Sequence, residues 1–308
     1  MFSRLRSSRA LRAVVGLVAL GFVGYGLTRN WAETEAALRR LSWWSIAGSV
    51  TAVMAGLGCM LLAWRAVLAG LGSRLPLPVA ARVMFVGQLG KYVPGAVWAY
   101  AAMMELGRDH GAPPRRTFSA TSIALVVSLG CALAIAAATL WHVVGRAWYL
   151  PALIPLIAVC LHPRVLAFGL NLFLRVARRD PLDRVLPGSA LVQATAWTTL
   201  GWLVYGVHLW LPVADLGAGP VYPLATGAYA LAWATGLLTV IVPAGIGVRE
   251  GAMVLALAPV LDAPEALVAA VVSRLVFTFC DVAWAGLGFL LGRMAGRQES
   301  RASTYAAQ

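Results

Sequence analysis

The chain has 308 residues, 60% of them hydrophobic and only 12% charged, with a mean hydropathy of +0.79. That composition excludes an ordinary soluble domain, and the long unbroken apolar runs argue against the alternating strands of a β-barrel. The formal charge of +13 does not mark a nucleic-acid binder, because the basic residues lie between apolar blocks rather than on a polar module.

In chain order, Arg4, Arg6, Arg9 and Arg12 come before or at the start of an apolar run that extends from Ala13 to Leu27. No clear small-x-small cleavage site precedes the next polar segment, so this run is expected to be an uncleaved first span. Full spans are predicted over 12–28, 43–69, 117–140, 148–162, 189–211 and 265–292, which makes about six transmembrane helices. Two further blocks, 80–106 and 222–261, carry Pro and Gly in their interiors and are expected to turn back as re-entrant hairpins. The expected fold is thus an all-α polytopic membrane protein. Its halves, 1–143 and 144–308, share one plan of span, span, hairpin, span. An odd number of spans per half gives an inverted repeat, as in many secondary transporters.

Between the halves, 163–179 reads as an amphipathic interfacial helix. Arg164, Asn171, Arg175 and Arg178 share one face, with Val165, Leu166, Phe168, Leu172 and Phe173 largely opposite. With both termini cytoplasmic, 16 of the 25 basic residues fall on the inner side and four (Arg29, Arg39, Arg40, Arg146) outside, in keeping with the positive-inside rule. Both tails are expected to be too short for an attached soluble catalytic domain. Cys59, Cys131, Cys160 and Cys280 lie in apolar runs without metal spacing and read as small buried hydrophobes.

The first broken block has its bend at Pro94-Gly95, with Lys91, the only lysine of the chain, beside it. Pro94 removes a backbone donor and disfavours helix at Val93. The second block breaks at Pro243, Gly245 and Gly247 and places Arg249 just beyond. A cation at a broken helix in an apolar segment points to a binding site, and half-helix N-termini beside it suit a phosphate. Lys91, Arg249 and Arg274 are therefore the expected phosphate ligands. Tyr92 and Trp98 are placed to touch a sugar or headgroup, although anchoring at the membrane interface is as common a use of such rings. Arg65 and Arg82 are weighed as further phosphate contacts against snorkelling to the interface. The carboxylates Glu105, Glu250 and Asp281 lie inside the apolar blocks. They are read as proton-coupling groups or as ion-pair partners, with Arg249–Glu250 and Arg274–Asp281 as the pairs suggested by spacing. No Walker A loop is present, and His110, His142, His162 and His208 are scattered, so neither an enzyme nor a cofactor or metal is expected.

These residues also carry a family pattern. Gly90 through Trp98, Glu105-Leu106-Gly107-Arg108, the Trp64-Arg65 pair, and Pro243-x-Gly245-x-Gly247-Val248-Arg249-Glu250-Gly251 resemble the flippase-like membrane family named for the transmembrane region of lysylphosphatidylglycerol synthase. The resemblance covers nearly the whole chain. It implies a multi-pass protein of the bacterial or archaeal inner membrane that moves a lipid with a large headgroup between leaflets. The chain would be a standalone member, without the soluble transferase that follows this region in the synthase. A cationic site suits a polyprenyl-phosphate-linked sugar better than a lysyl-lipid of net positive charge. The alternatives are a flippase of aminoacylated or other phospholipids, a membrane-embedded transferase using Glu105 or Asp281 as base, and an accessory subunit for a partner enzyme such as a glycosyltransferase.

Overall fold

Prolines mark where several helices begin, because the first turn of a helix has no use for their missing N–H. In the computed structural model, helices start at or one residue before Pro78, Pro114, Pro163 and Pro223. The structure describes residues 31–92, 97–141, 150–176, 186–239 and 247–306, and of 97, 170, 173, 174, 176 and 293–306 it describes the backbone alone. The expected first span and the breaks at Pro94, Gly95, Pro243 and Gly245 lie outside those residues.

The described residues form helices and connections, with no strand. In order these are α1 (Trp31–Arg40), α2 (Trp43–Gly70), α3 (Leu77–Ala81), α4 (Val97–Arg108), α5 (Pro114–Leu140), α6 (Leu153–Cys160), α7 (Pro163–Val176), α8 (Gly188–Val213), α9 (Tyr222–Leu238), α10 (Val248–Leu257) and α11 (Ala263–Ala306). A π-turn (Arg82–Val86) and a 3-10 turn (Leu89–Tyr92) prolong α3. Three segments are long and apolar enough to cross a membrane: α2, α5 and Ala263–Gly292 of α11. A fourth is added if Leu150–Cys160 and Pro163–Gly169 count as one broken span. Helix α8 has 26 residues, enough to span, but its tryptophans, threonines and His208 lower its hydropathy.

Residues 29–42, expected to be an outside connection, contain α1. Glu33 lies in its first turn and Arg39 and Arg40 in its last, charges that complement the helix dipole. Glu35 also accepts from Arg39 one turn on, at 2.7 Å. The helix carries too little apolar surface to be seen by a search for spans.

The chain divides into two compact units, each drawing on both sequence halves. The first comprises Met1–Cys59, Val127–His162 and Thr198–Thr278; the second comprises Met60–Val126, Pro163–Trp197 and Phe279–Gln308. Within the first, α9 and α10 pack side by side over a core that includes Trp202, Tyr205, Leu209, Tyr229, Met253 and Leu257. Arg40 ties the end of α1 to Glu265 at 2.6 Å and to the Leu216 carbonyl, while Asp215 accepts from the Ser42 N–H at 2.7 Å. Helix α6 buries none of its residues, so Cys160 is exposed, contrary to the expectation; Cys131 and Cys280 are buried and Cys59 is partly so.

In the second unit the first broken block folds back on itself. A Cβ on Gly87 would lie 2.5 Å from Met103, and one on Gly90 2.6 Å from the backbone N of Ala99. As the first arm advances by three residues, the second recedes by four, so the arms run antiparallel with backbone against backbone. Only glycine permits that approach. The C-terminal part of α11 packs along the first arm, also antiparallel. Asp281 meets Lys91 and Tyr92, Trp284 stacks on Phe85 with ring centroids 4.5 Å apart, and Gly288 faces the backbone of Ala81. In α7, basic Arg164 and Arg175 and apolar Val165, Phe168 and Leu172 are all exposed, as an amphipathic helix with little protein around it requires.

The close approach of the arms gives a prediction. Gly90→Leu forces a side chain into the Ala99 backbone and is expected to destabilise the protein by roughly 1–3 kcal/mol. Gly169→Ala in α7, where a Cβ meets nothing within 4 Å, is expected to leave stability unchanged or slightly raised. Thermal unfolding of the detergent-solubilised variants measures both.

Candidate functional site

Gly247 opens α10 at φ 83°, a conformation that costs an ordinary residue but not glycine. This turn starts a new helix and sets Arg249 and Glu250 in its first turn. Glu250, 5% exposed, uses both carboxylate oxygens. Oε2 accepts from the Gly247 backbone N–H at 2.5 Å and caps the helix, and Oε1 accepts from Arg274 Nε of α11 at 2.5 Å.

Arg249 points elsewhere. Its guanidinium donates to the Tyr229 hydroxyl of α9 at 2.7 Å, and its Cζ lies 5.1 Å from the Tyr229 ring centroid and 5.8 Å from that of Phe277. Those two rings stack at 5.1 Å, and His208 packs edge-on against both. His208 Nδ1 meets the Tyr205 carbonyl, which can only accept, so Nδ1 carries the proton of a neutral ring. Nε2 then accepts from the Ser273 hydroxyl at 2.8 Å. Arg249 thus rests on a neutral aromatic platform, and among the described residues no carboxylate pairs with it. Among the described residues the cluster holds two arginines and one carboxylate, and that carboxylate is taken by Arg274, which leaves one positive charge in surplus. In apolar surroundings such a charge costs roughly 2.5–3.5 kcal/mol on insertion scales, and a cation–π contact recovers only about 0.5–2 kcal/mol. The arrangement favours an anion.

The second unit holds the other cation. Lys91 and Tyr92 end the 3-10 turn. Lys91 Nζ lies 2.6 Å from Asp281 Oδ2, and the Tyr92 hydroxyl donates to the same oxygen at 2.7 Å. The Asp281 side chain is 7% exposed and that of Lys91 42%, so the carboxylate is sheltered while the amine has an open side. Arg65 donates to the Leu75 carbonyl at 2.9 Å, and Arg82 lies 5.8 Å from the Phe289 ring. Arg65 is therefore tied to the connection that follows its own helix. Trp98 is half exposed, and Glu105 is exposed and paired with Arg108.

Both pairs suggested by spacing are corrected. Arg249 and Glu250 are successive residues, which point about 100° apart around a helix and cannot face each other. Arg274 and Asp281 share α11, but seven residues span about 10 Å of rise, and each finds its partner on another element. The structure brings Arg249, Glu250 and Arg274 into one cluster, and Lys91, Tyr92 and Asp281 into another, and sequence reasoning names each of these residues. It missed Tyr229, Phe277 and His208. These lie 20 to 41 positions from Arg249 with no motif linking them. The one signal for Tyr229 and His208 is the density of aromatic residues in 202–233, and Phe277 has none.

Residues 9–285 match the family model described as lysylphosphatidylglycerol synthase TM region. The chain belongs to this family. With its apolar helices, it is a multi-pass membrane protein. A comparison with curated proteins gave no match.

The dual role of Glu250 is testable. Glu250→Ala leaves Arg274 partly buried without its carboxylate and is expected to cost roughly 3–5 kcal/mol. Adding Arg274→Met removes the orphaned charge and should recover all but about 1 kcal/mol, the share of the lost cap. Unfolding of the single and double variants in detergent measures the difference.

Proposed function

We propose that the protein is a lipid flippase that moves a phosphate-bearing lipid, a polyprenyl-phosphate-linked sugar, across the bacterial inner membrane. The family to which the chain belongs supports a membrane-lipid role. The observation that carries the choice of lipid is Arg249, a cation in the first turn of a helix after a break, with no carboxylate among the described residues to neutralise it. A phosphodiester supplies the missing negative charge and can accept two parallel N–H bonds from a guanidinium. The aromatic rings around it favour a neutral sugar over a second cation. A lysyl headgroup would add positive charge where a surplus already exists.

In this reading Arg249 is the first phosphate ligand and Arg274, held by Glu250, supports it. Lys91 is the phosphate-binding cation of the other unit, with Tyr92 and Trp98 for the headgroup. The prenyl tail stays in the bilayer. The six-span inverted repeat, with both broken blocks re-entrant and both termini cytoplasmic, is part of the same proposal. Its two halves would rock to expose the headgroup to alternate leaflets. The protein acts as a carrier, and no bond of the lipid is made or broken. A glycosyltransferase that supplies or consumes the lipid is the fitting partner.

The test is transbilayer movement of a labelled polyprenyl-phosphate sugar in proteoliposomes. A charge-assisted hydrogen bond contributes about 1.5–3 kcal/mol, so Arg249→Ala is expected to slow movement by roughly 10- to 100-fold. Arg249→Lys keeps the charge but loses the fork, and should fall between. Unchanged movement in Arg249→Ala would remove the assigned role. A product of altered mass formed by purified protein would replace the carrier by a transferase.

A further inference from the structure

In the second unit the buried carboxylate already occupies the place that a phosphate would take. Asp281 Oδ2 receives both the Lys91 ammonium and the Tyr92 hydroxyl, at 2.6 and 2.7 Å. These are the distances at which the same groups would hold a phosphate oxygen. We propose that Asp281 is an internal stand-in for the lipid phosphate, and that its displacement couples lipid binding to the uptake of one proton. This rests on the reading of Lys91 as a phosphate ligand and adds the way that ligand is released.

Charge balance gives the coupling. Without lipid, Lys91 and Asp281 sum to zero. A phosphodiester brings one negative charge, and if Lys91 turns to it through its open side, the sheltered Asp281 is left as a bare carboxylate. An unpaired buried carboxylate is costly enough that protonation is the cheaper state. One proton from water restores neutrality, giving an ammonium–phosphate pair and a carboxylic acid. Both existing bonds fall on Oδ2, and no described residue bonds Oδ1, so Oδ1 is where the proton goes. The Tyr92 hydroxyl stays with the carboxyl group through the exchange. Among the described residues, the titratable groups that face Asp281 are Lys91 and Tyr92 from the 3-10 turn and, beside it on α11, Cys280. Arg274, two turns earlier on α11, is held by Glu250. Lys91 keeps its proton throughout, and no covalent bond changes other than the one to the proton.

Such a coupling has a signed consequence. A proton taken up on binding makes affinity fall as pH rises, by about tenfold per pH unit while the free protein holds Asp281 ionised. The experiment is calorimetric titration of the full-length detergent-solubilised protein with a short-chain polyprenyl-phosphate sugar. This phosphodiester stays monoanionic, and buffers of different ionisation enthalpy report the protons exchanged. Wild type is expected to take up close to one proton per lipid, with the steep pH dependence. Asp281→Asn keeps an oxygen for Tyr92 but has no charge to neutralise, and should bind with close to none and a flat profile. Saturable wild-type binding without proton uptake, or equal uptake by Asp281→Asn, overturns the coupling and leaves phosphate recognition standing. Absence of any saturable wild-type binding overturns the phosphate reading and this inference with it. Should Asp281→Asn fail to fold, the wild-type proton count decides alone.

Discussion

Two buried carboxylates, Glu250 and Asp281, govern how positive charge is arranged in this protein. A carboxylate sealed from water needs a cation and hydrogen bonds, or it will not stay ionised. Glu250 takes Arg274 and the first turn of α10; Asp281 takes Lys91 and Tyr92. Because Glu250 is committed in this way, Arg249 is left to a phenol and aromatic faces. That assignment, more than the number of cations, is what the proposed anion site rests on.

The two cation clusters do different work in this account. Around Arg249 the charge is in surplus among the described residues, and its surroundings are tied together: stacked rings, a histidine held at both nitrogens, and a capped helix. Around Lys91 the charge is balanced and the cation is half open, which makes it the exchangeable partner. A phosphate ligand that is always ready and one that must first be released are complementary parts of a cycle that binds a lipid and lets it go. The glycines of the first arm serve the second cluster, since close contact of the arms at Gly87 and Gly90 fixes the turn that presents Lys91 and Tyr92 to Asp281.

Much of the helical layout was legible in the sequence. The expected 43–69, 117–140, 189–211 and 265–292 agree with α2, α5, α8 and α11 to within a few residues at most ends, because apolar length is written locally. Although the bends at Pro94, Gly95, Pro243 and Gly245 lie outside the described residues, that 80–106 and 222–261 each hold two helical arms was also legible, through Pro and Gly. Partnerships were not. Helical spacing suggested Arg249 with Glu250 and Arg274 with Asp281, whereas the partners chosen come from other elements. Tyr229 and Phe277 became visible only when α9 and α11 were placed around α10. Helix α1 escaped because it is polar and short, and what holds it is contacts to Leu216 and Glu265 about 180 to 230 positions away. Sequence pattern records which residues avoid water; it does not record which side chain completes a given charge.

The claim on which the rest turns is that Arg249 is held ready for a phosphate. The most direct measurement is an experimental structure of the protein in a lipid nanodisc with a short-chain polyprenyl-phosphate sugar bound. The account predicts phosphate oxygens at about 2.7–2.9 Å from the Arg249 guanidinium, the spacing of a charge-assisted pair. Lipid density ending elsewhere, with Arg249 still bonded only to Tyr229, would contradict it.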